Sequence, residues 1–286
     1  MKVFITGTES FVGKELIKQC LEKNIEVFGC DIKSEIYNSF DITNRNIHEI
    51  IPDEIDALIH LASLSDNKQC ENNDYNCFNI NVLGTINIME ACLKKNVKQF
   101  IFASSEWVYD SFKENEIKDE NSFIDISNHL QEYPLSKLVS EANIRQKYKR
   151  GFCDTTILRF GIIYGPREKG GGSAIESVFN SVRTKDIVEI GSLKTGRCFI
   201  HVKDIASGII SSIGLKGFNL LNLEGNTLIN LEAIIEASKK IFNKNPQIVE
   251  KDPNNPSIKN VSNNKAKEVL LWKPQISLEE GLKTLL

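Results

Sequence analysis

VFITGTESFVG, residues 3–13, carries the signals from which the fold is read. Val3 to Ile5 make a short apolar run of strand length. Val12, Leu16 and Cys20, with Ile17 and Leu21, then repeat at helical spacing. Between strand and helix, Gly7 and Gly13 allow a tight turn and close helix packing, and the helix start offers backbone N–H groups to a pyrophosphate. "IEVFGC", residues 25–30, reads as a second strand and closes a β-α-β unit. Asp31, at its end, fits the acid that binds an adenosine ribose 2′-hydroxyl. Together these predict a dinucleotide site from Gly7, Ser10, Phe11, Val12, Gly13, Asp31 and Ile32. An acid at position 31 repels a 2′-phosphate and favours NAD, while Lys33 keeps NADP open. One position departs from the pattern. Ser10 replaces the middle glycine of G-x-x-G-x-x-G, and its side chain is expected to crowd the pyrophosphate or to demand a different turn.

The alternation continues along the chain. "DALIHLA" at 56–62 reads as a strand, "NINVLGTINIMEACLKK" at 79–95 as a long helix and "KQFIFASS" at 98–105 as a strand. A helix follows Tyr133, and "DTTILRF" at 154–160 is a further strand. Strands alternating with helices predict an α/β fold, a Rossmann-like doubly wound parallel sheet. After Ile163 the composition shifts toward Gly, Asn and Lys with shorter elements: helices near "AIESVFNSV", "DIASGIISS" and "INLEAIIEASKKIF", and a strand at "RCFIHV". Residues 1–163 are therefore read as the NAD-binding domain and 164–286 mainly as a smaller α/β substrate domain, with some interleaving. The polar, acidic stretch 110–132 reads as a mobile flap or a surface excursion.

With 286 residues, 41% of them hydrophobic, the chain is long enough for a large core in one domain or two coupled domains. A net charge of −3, with lysines scattered among acids, leaves no basic stripe and argues against nucleic acid as a partner. Apolar runs are only of strand length and Lys2 is followed at once by "VFITG", which predicts a cytoplasmic chain with no membrane partner. Seven cysteines without C-x-x-C spacing sit mostly in apolar segments, so neither disulfides nor a metal site is expected. The triple glycine at 170–172 lacks a following Lys-Ser/Thr and reads as a connector, not a P-loop.

"EYPLSK", residues 132–137, sets Tyr133 and Lys137 four apart, on one helix face. A phenol titrates near pH ~10 and a lysine near ~10.4, so neither is a base at neutral pH, but a fixed cation beside the phenol favours the phenolate. Pro134 suits a first helical turn and places Tyr133 at a helix entrance. Alone, the pair reads first as a solvated helix face, because Tyr, Ser and Lys are common.

Taken in order, "TGTESFVG", Asp31, "DITN" at 41–44, "HLAS" at 60–63, "SSEWVYD" at 104–110, "YPLSK", "LRFGIIYGPR" at 158–167, "RCFIHVKDIA" at 197–206 and the tail "LWKPQISLEEGL" give the chain a resemblance to the extended short-chain dehydrogenase/reductase family over nearly its whole length. That family contains nucleotide-sugar epimerases, dehydratases and reductases. The resemblance implies Tyr133 as acid/base, and Lys137 as the cation that lowers the tyrosine pKa and holds the nicotinamide ribose. It implies Ser105 as the hydroxyl aligning the reacting oxygen, with Ser104 its rival. It places Asp41 and Ile42 at the adenine, Leu61, Ala62 and Ser63 beside the cofactor phosphates and ribose, and Arg197 on the substrate diphosphate. Glu106 is a candidate contact to sugar hydroxyls. His60 and His201 lie in apolar strand ends and read as structural. The helices carrying "NINVLGTINIMEACL" and "SKLVSEANIRQKY" resemble a dimer-forming pair, so a homodimer is expected.

Three chemistries share this machinery. Trp107 stands where family 4,6-dehydratases carry the second of two acids, and an indole offers no base. "SSEWVYD" is similar to the 4-keto-sugar reductases, which use NAD(P)H, whereas "RCFIHVKDIA" and "YGPR" look like the epimerases. Ile162, where many epimerases place asparagine, weakens both. The expectation is an NAD-dependent epimerase of a nucleoside-diphosphate sugar, acting at C4. A 4-ketoreductase is the close alternative, a dehydratase a weaker one, and a silent nucleotide-binding scaffold the reading from another class.

Overall fold

The structure, a computed structural model, describes residues 1–65, 67–167 and 172–286, so Gly170 and Gly171 of the triple glycine lie outside the described residues. The opening stretch folds as its pattern dictates. β1 is Lys2–Thr6, helix α1 is Phe11–Glu22 and β2 is Glu26–Asp31. Five further strands join the same sheet: β3 (Asn38–Ser39), β4 (Ala57–His60), β5 (Gln99–Ser105), β6 (Asp154–Phe160) and β7 (Phe218–Leu223). Their order is β7-β6-β5-β4-β1-β2-β3. The ladders from β3 through to β6 are parallel, and Thr155 N to Gly217 O and Gly161 N to Leu223 O advance in step, so β7 runs the same way. This is the doubly wound parallel sheet expected from the alternation.

In this order the chain leaves β1 toward β2 on one side and returns to β4 on the other. The register pairs Thr6 with both Cys30 and His60, so the carboxyl ends of β1, β2 and β4 lie level. In open α/β sheets, ligands bind outside the carboxyl ends at such a reversal. β5 and β6 run further, pairing Ser105 with Phe160.

The chain divides into two compact units. The first comprises Met1–Ser111, Ser122–Phe160 and Ala206–Leu221; the second comprises Phe112–Asn121, Gly161–Ile205 and Asn222–Leu286. In the first, Phe4, Leu58, Phe100, Phe102 and Ile157 from the sheet pack with Ile88 and Met89 of helix α2 (Thr85–Lys94) and Ile144 of helix α3 (Glu132–Lys149). In the second, Ile175, Phe179 and Val182 of helix α4 (Ala174–Thr184) pack with Leu231, Ile234 and Ile235 of helix α5 (Leu231–Phe242) and with Val188, Phe199 and Leu282.

Two segments differ from their sequence reading. "RCFIHV" is not one strand but two short ones, Gly196–Arg197 and Ile200–His201, because Cys198 O between them accepts from Gly225 N rather than from a sheet neighbour. Within 110–132, Ile117–Lys118 pairs in parallel with Asn260–Val261, so part of that stretch is ladder rather than loop. No helix among the described residues is long and apolar enough to cross a membrane.

Candidate cofactor and catalytic site

The turn after β1 is fixed by two glycines that no other residue replaces. Gly7 has φ +81°, and a Cβ there would meet Ala62 N at 2.9 Å. A Cβ on Gly13 would lie 2.2 Å from Gly7 O. Ser10 needs no such freedom. Its backbone is extended, φ −69° and ψ 160°, and its Oγ caps α1 by accepting from Gly13 N at 3.0 Å. The side chain is drawn into the helix start, ahead of Phe11 and Val12.

Around this turn stand the other cofactor candidates. Asp31 Oδ2 accepts from Glu9 N at 3.2 Å and its Oδ1 from Lys33 N at 2.9 Å, which fixes the carboxylate at the end of β2. Ile32 is exposed beside it. Asp41 is exposed and accepts from Thr43, whereas Ile42 is buried in the first core. At the end of β4, Leu61 N donates to Thr6 O at 3.1 Å and Ala62 N to Thr6 Oγ1 at 3.2 Å, leading into half-buried Ser63. A close-packed glycine turn and a helix start offering N–H donors, with a fixed accepting carboxylate at level strand ends, make a set of groups that fits a dinucleotide.

Tyr133 lies in the first turn of α3 and Lys137 one turn on, both buried. Lys137 Nζ donates to Ala103 O on β5 at 2.9 Å and lies 5.9 Å from the centre of the Tyr133 ring. One cation thus links the phenol to the strand end carrying Ser105. Burial pushes Lys137 down to about 8, opposed by Cys70, Cys77 and Glu141. Ser105 Oγ accepts from Trp107 N at 3.2 Å. Ser104, pointing the other way, donates to Glu141 Oε1 at 2.6 Å. Glu106 is buried and Trp107 is 38% exposed.

Three groups supporting the site were not nominated from sequence. Asn81 sits in a π-helical turn, Asn79–Gly84, that leads into α2. Its Oδ1 accepts from Leu64 N at 2.8 Å, and its Nδ2 donates to Leu64 O and Ser136 Oγ at 3.0 Å each, tying the loop after Ser63 to α3. Glu141 and Arg159 form a buried bidentate pair, Nε to Oε1 at 2.9 Å and Nη2 to Oε2 at 2.7 Å. Glu141 continues the Tyr133–Lys137 spacing, a signal open to view in the sequence; the strand residue Arg159 gave none.

His60 bridges Thr6 Oγ1 at 2.7 Å and Thr85 Oγ1 at 3.0 Å, and burial pushes it down to about 3. His201 lies in the second unit against Thr284, pushed down to about 4 by burial. Arg197 also belongs to the second unit. Its Nη1 donates to Gly196 O at 2.7 Å and Ser257 O at 2.6 Å, and its Nη2 to Ser257 Oγ at 2.9 Å. Ile162 packs against the second core. Among the described residues, no group of three or more His, Cys, Asp or Glu side chains is placed to hold a metal ion.

Known proteins share this fold. The NAD dependent epimerase/dehydratase family matches residues 3–215. UDP-glucuronate 4-epimerase of Thermodesulfobacterium geofontis is 25% identical, over 98% of this chain and 93% of its own length. The dTDP-4-dehydro-6-deoxyglucose reductase of Escherichia coli is also 25% identical, over 99% and 96%. The solved structure of MoeE5 in complex with UDP-glucose and NAD superposes with a TM-score of 0.86 at 22% identity, covering 99% of this chain and 97% of that one.

Proposed function

The chain belongs to the NAD-dependent epimerase/dehydratase family of extended short-chain dehydrogenase/reductases, and from that premise we propose that it is an epimerase inverting C4 of a nucleoside-diphosphate sugar. Lys137, buried between the Tyr133 ring and β5, supports the acid/base chemistry. What favours the epimerase among the chemistries sharing it is the likeness of "RCFIHVKDIA" and "YGPR" to epimerases, together with the UDP-glucuronate 4-epimerase relative. Bound NAD supplies the hydride acceptor and donor for the sugar carbon. Gly7, Ser10, Phe11, Val12, Gly13, Asp31, Ile32, Asp41, Ile42, Leu61, Ala62, Ser63, Tyr133 and Lys137 would hold it. Tyr133 takes the proton from the sugar hydroxyl and later returns it to the same oxygen. The charge of Lys137 favours the phenolate that does so, and the Ser105 hydroxyl hydrogen-bonds the reacting oxygen. Ser104, engaged by Glu141, is not given this role. Glu106 would meet the sugar hydroxyls and Arg197 the diphosphate.

The likeness to a dTDP-4-dehydro-6-deoxyglucose reductase favours a second reading, reduction of a 4-keto sugar with NAD(P)H. Incubating the protein with UDP-, dTDP-, GDP- and CDP-sugars and substoichiometric NAD decides between them. An isomer of equal mass is the expected product, lost in Tyr133→Phe; loss of water would instead mark a dehydratase. Stoichiometric cofactor oxidation with a 4-keto sugar, and no isomer, would mark a reductase. No turnover in any of these, with Tyr133→Phe indistinguishable from wild type, would leave a binding scaffold.

A homodimer is part of the proposal. On the outer face of the π turn and α2, Leu83 and Leu93 are 53% and 49% exposed, a stripe that a second copy would cover. Light scattering should return twice the 32.3 kDa chain mass. All seven cysteines are free thiols, which fits the cytoplasmic setting proposed here.

A further inference from the structure

The turn after β1 carries a glutamate that the reading above leaves without a role. Glu9 N donates to Asp31 Oδ2 at 3.2 Å, so this residue is laid directly against the carboxylate assigned to the adenosine ribose. Its own side chain is held in place. Ser34 Oγ donates to Glu9 Oε1 at 3.0 Å, and Ser34, itself buried, is fixed by Tyr37 N donating to its Oγ at 3.0 Å and by its own N–H donating to Asp31 O at 3.3 Å. Lys14 stands 3.9 Å from Oε2 with 45% of its side chain exposed, a loose and solvent-screened pair. Glu9 is half-buried. It therefore presents a fixed second anion beside Asp31, at a strand end where burial first, and then Asp31 and Asp41, push the Cys30 thiol up. Lys33, the nearby cation noted in the sequence, is exposed, and its main-chain N–H donates to Asp31 Oδ1.

We propose that Glu9 is a cofactor-specificity residue which, with Asp31, makes the ribose site take a 2′-hydroxyl and reject a 2′-phosphate, so that the chain uses NAD and not NADP. A 2′-phosphate brings close to two negative charges and would meet fixed anions that are already hydrogen-bonded in place. A 2′-hydroxyl brings none and can donate to them. This deepens the reading of the site given above and rests on it.

Calorimetric titration of the full chain, freed of copurified nucleotide, with NAD and with NADP tests it without an activity assay. Wild type is expected to bind NAD on the order of 100-fold more tightly than NADP. Glu9→Gln keeps an acceptor for Ser34 and removes only the charge, and should narrow that ratio by roughly 5- to 10-fold through stronger NADP binding. Asp31→Asn should narrow it while also weakening NAD. Equal binding of both dinucleotides by wild type would overturn the proposal. So would a Glu9→Gln ratio equal to wild type, or loss of NAD binding in that variant, which would make Glu9 a turn residue only. Wild type binding neither dinucleotide would overturn the cofactor reading itself, an outcome distinct from the others.

Discussion

At the scale of the residue, Lys137 ties pH to both chemistry and stability. Its ammonium is the cation beside Tyr133, and burial brings it down to about 8 from an ordinary 10.5. The charge is present below that value and lost above it, so the turnover profile should fall above pH about 8. Lys137→Met should lower kcat by roughly 100-fold or more and show no such limb. Stability moves the opposite way. Between about 8 and 10.5 the unfolded chain holds the proton that the folded one has released, so the contribution of Lys137 to stability rises with pH across that window, and a series of urea midpoints taken there should show it in wild type and not in Lys137→Met. Ser10 gives a sharper check. Because it caps α1 through its side chain, Ser10→Ala should cost about 1 kcal/mol while Ser10→Gly costs only a few tenths. If the glycine variant were much the worse of the two, the cap would not be what Ser10 contributes.

At the scale of the element, β5 and α3 are locked by one buried constellation. Ser104 on β5, Glu141 on α3 and Arg159 on β6 meet there, with the Arg159 guanidinium 4.9 Å above the Tyr109 ring. The same strand end presents Ala103 O to Lys137 and carries Ser105, so this lock positions the side chains proposed as catalytic. Arg159→Met would bury the Glu141 carboxylate without its partner and should cost roughly 3–5 kcal/mol, read as a shift of the urea midpoint. Adding Glu141→Leu should restore a good part of that loss; additive losses would refute the coupling. What was legible in the sequence follows the same division. Strands β1, β2, β5 and β6 and helix α1 announce themselves because local periodicity and turn chemistry agree with the final packing. Tyr133 and Lys137 are visible because one helix face holds both. Asn81 and Arg159 were not, because their roles depend on partners such as Leu64, Ser136 and Glu141 that spacing alone does not bring together. The broken strand at 197–202 was missed for the same reason: its disruption comes from Gly225, remote in the sequence.

At the scale of the whole molecule, the chain order does not follow the units. The first unit is interrupted at Ser111 and Phe160 and regains Ala206–Leu221 only after the whole of α4 and the residues up to Ile205 have passed. Strand β7 therefore reaches the sheet late and covers β6, a strand buried along nearly its whole length. A fragment ending at residue 163 would leave that apolar edge unpaired. It should be recovered largely as aggregate, whereas a fragment ending at residue 225 should stay in solution longer; equal solubility of the two would refute this. For the protein made on a ribosome, the same connectivity sets a clock. The nucleotide half has its glycine turn, its acid and its Tyr-Lys helix translated early, yet its outer sheet edge stays open until about 60 more residues have emerged, a wait of several seconds at ordinary elongation rates. During that interval nascent chains crowded on one messenger expose matching strand edges to each other, so slowing translation between residues 160 and 218 would be expected to lower the yield of folded protein more than slowing it anywhere later.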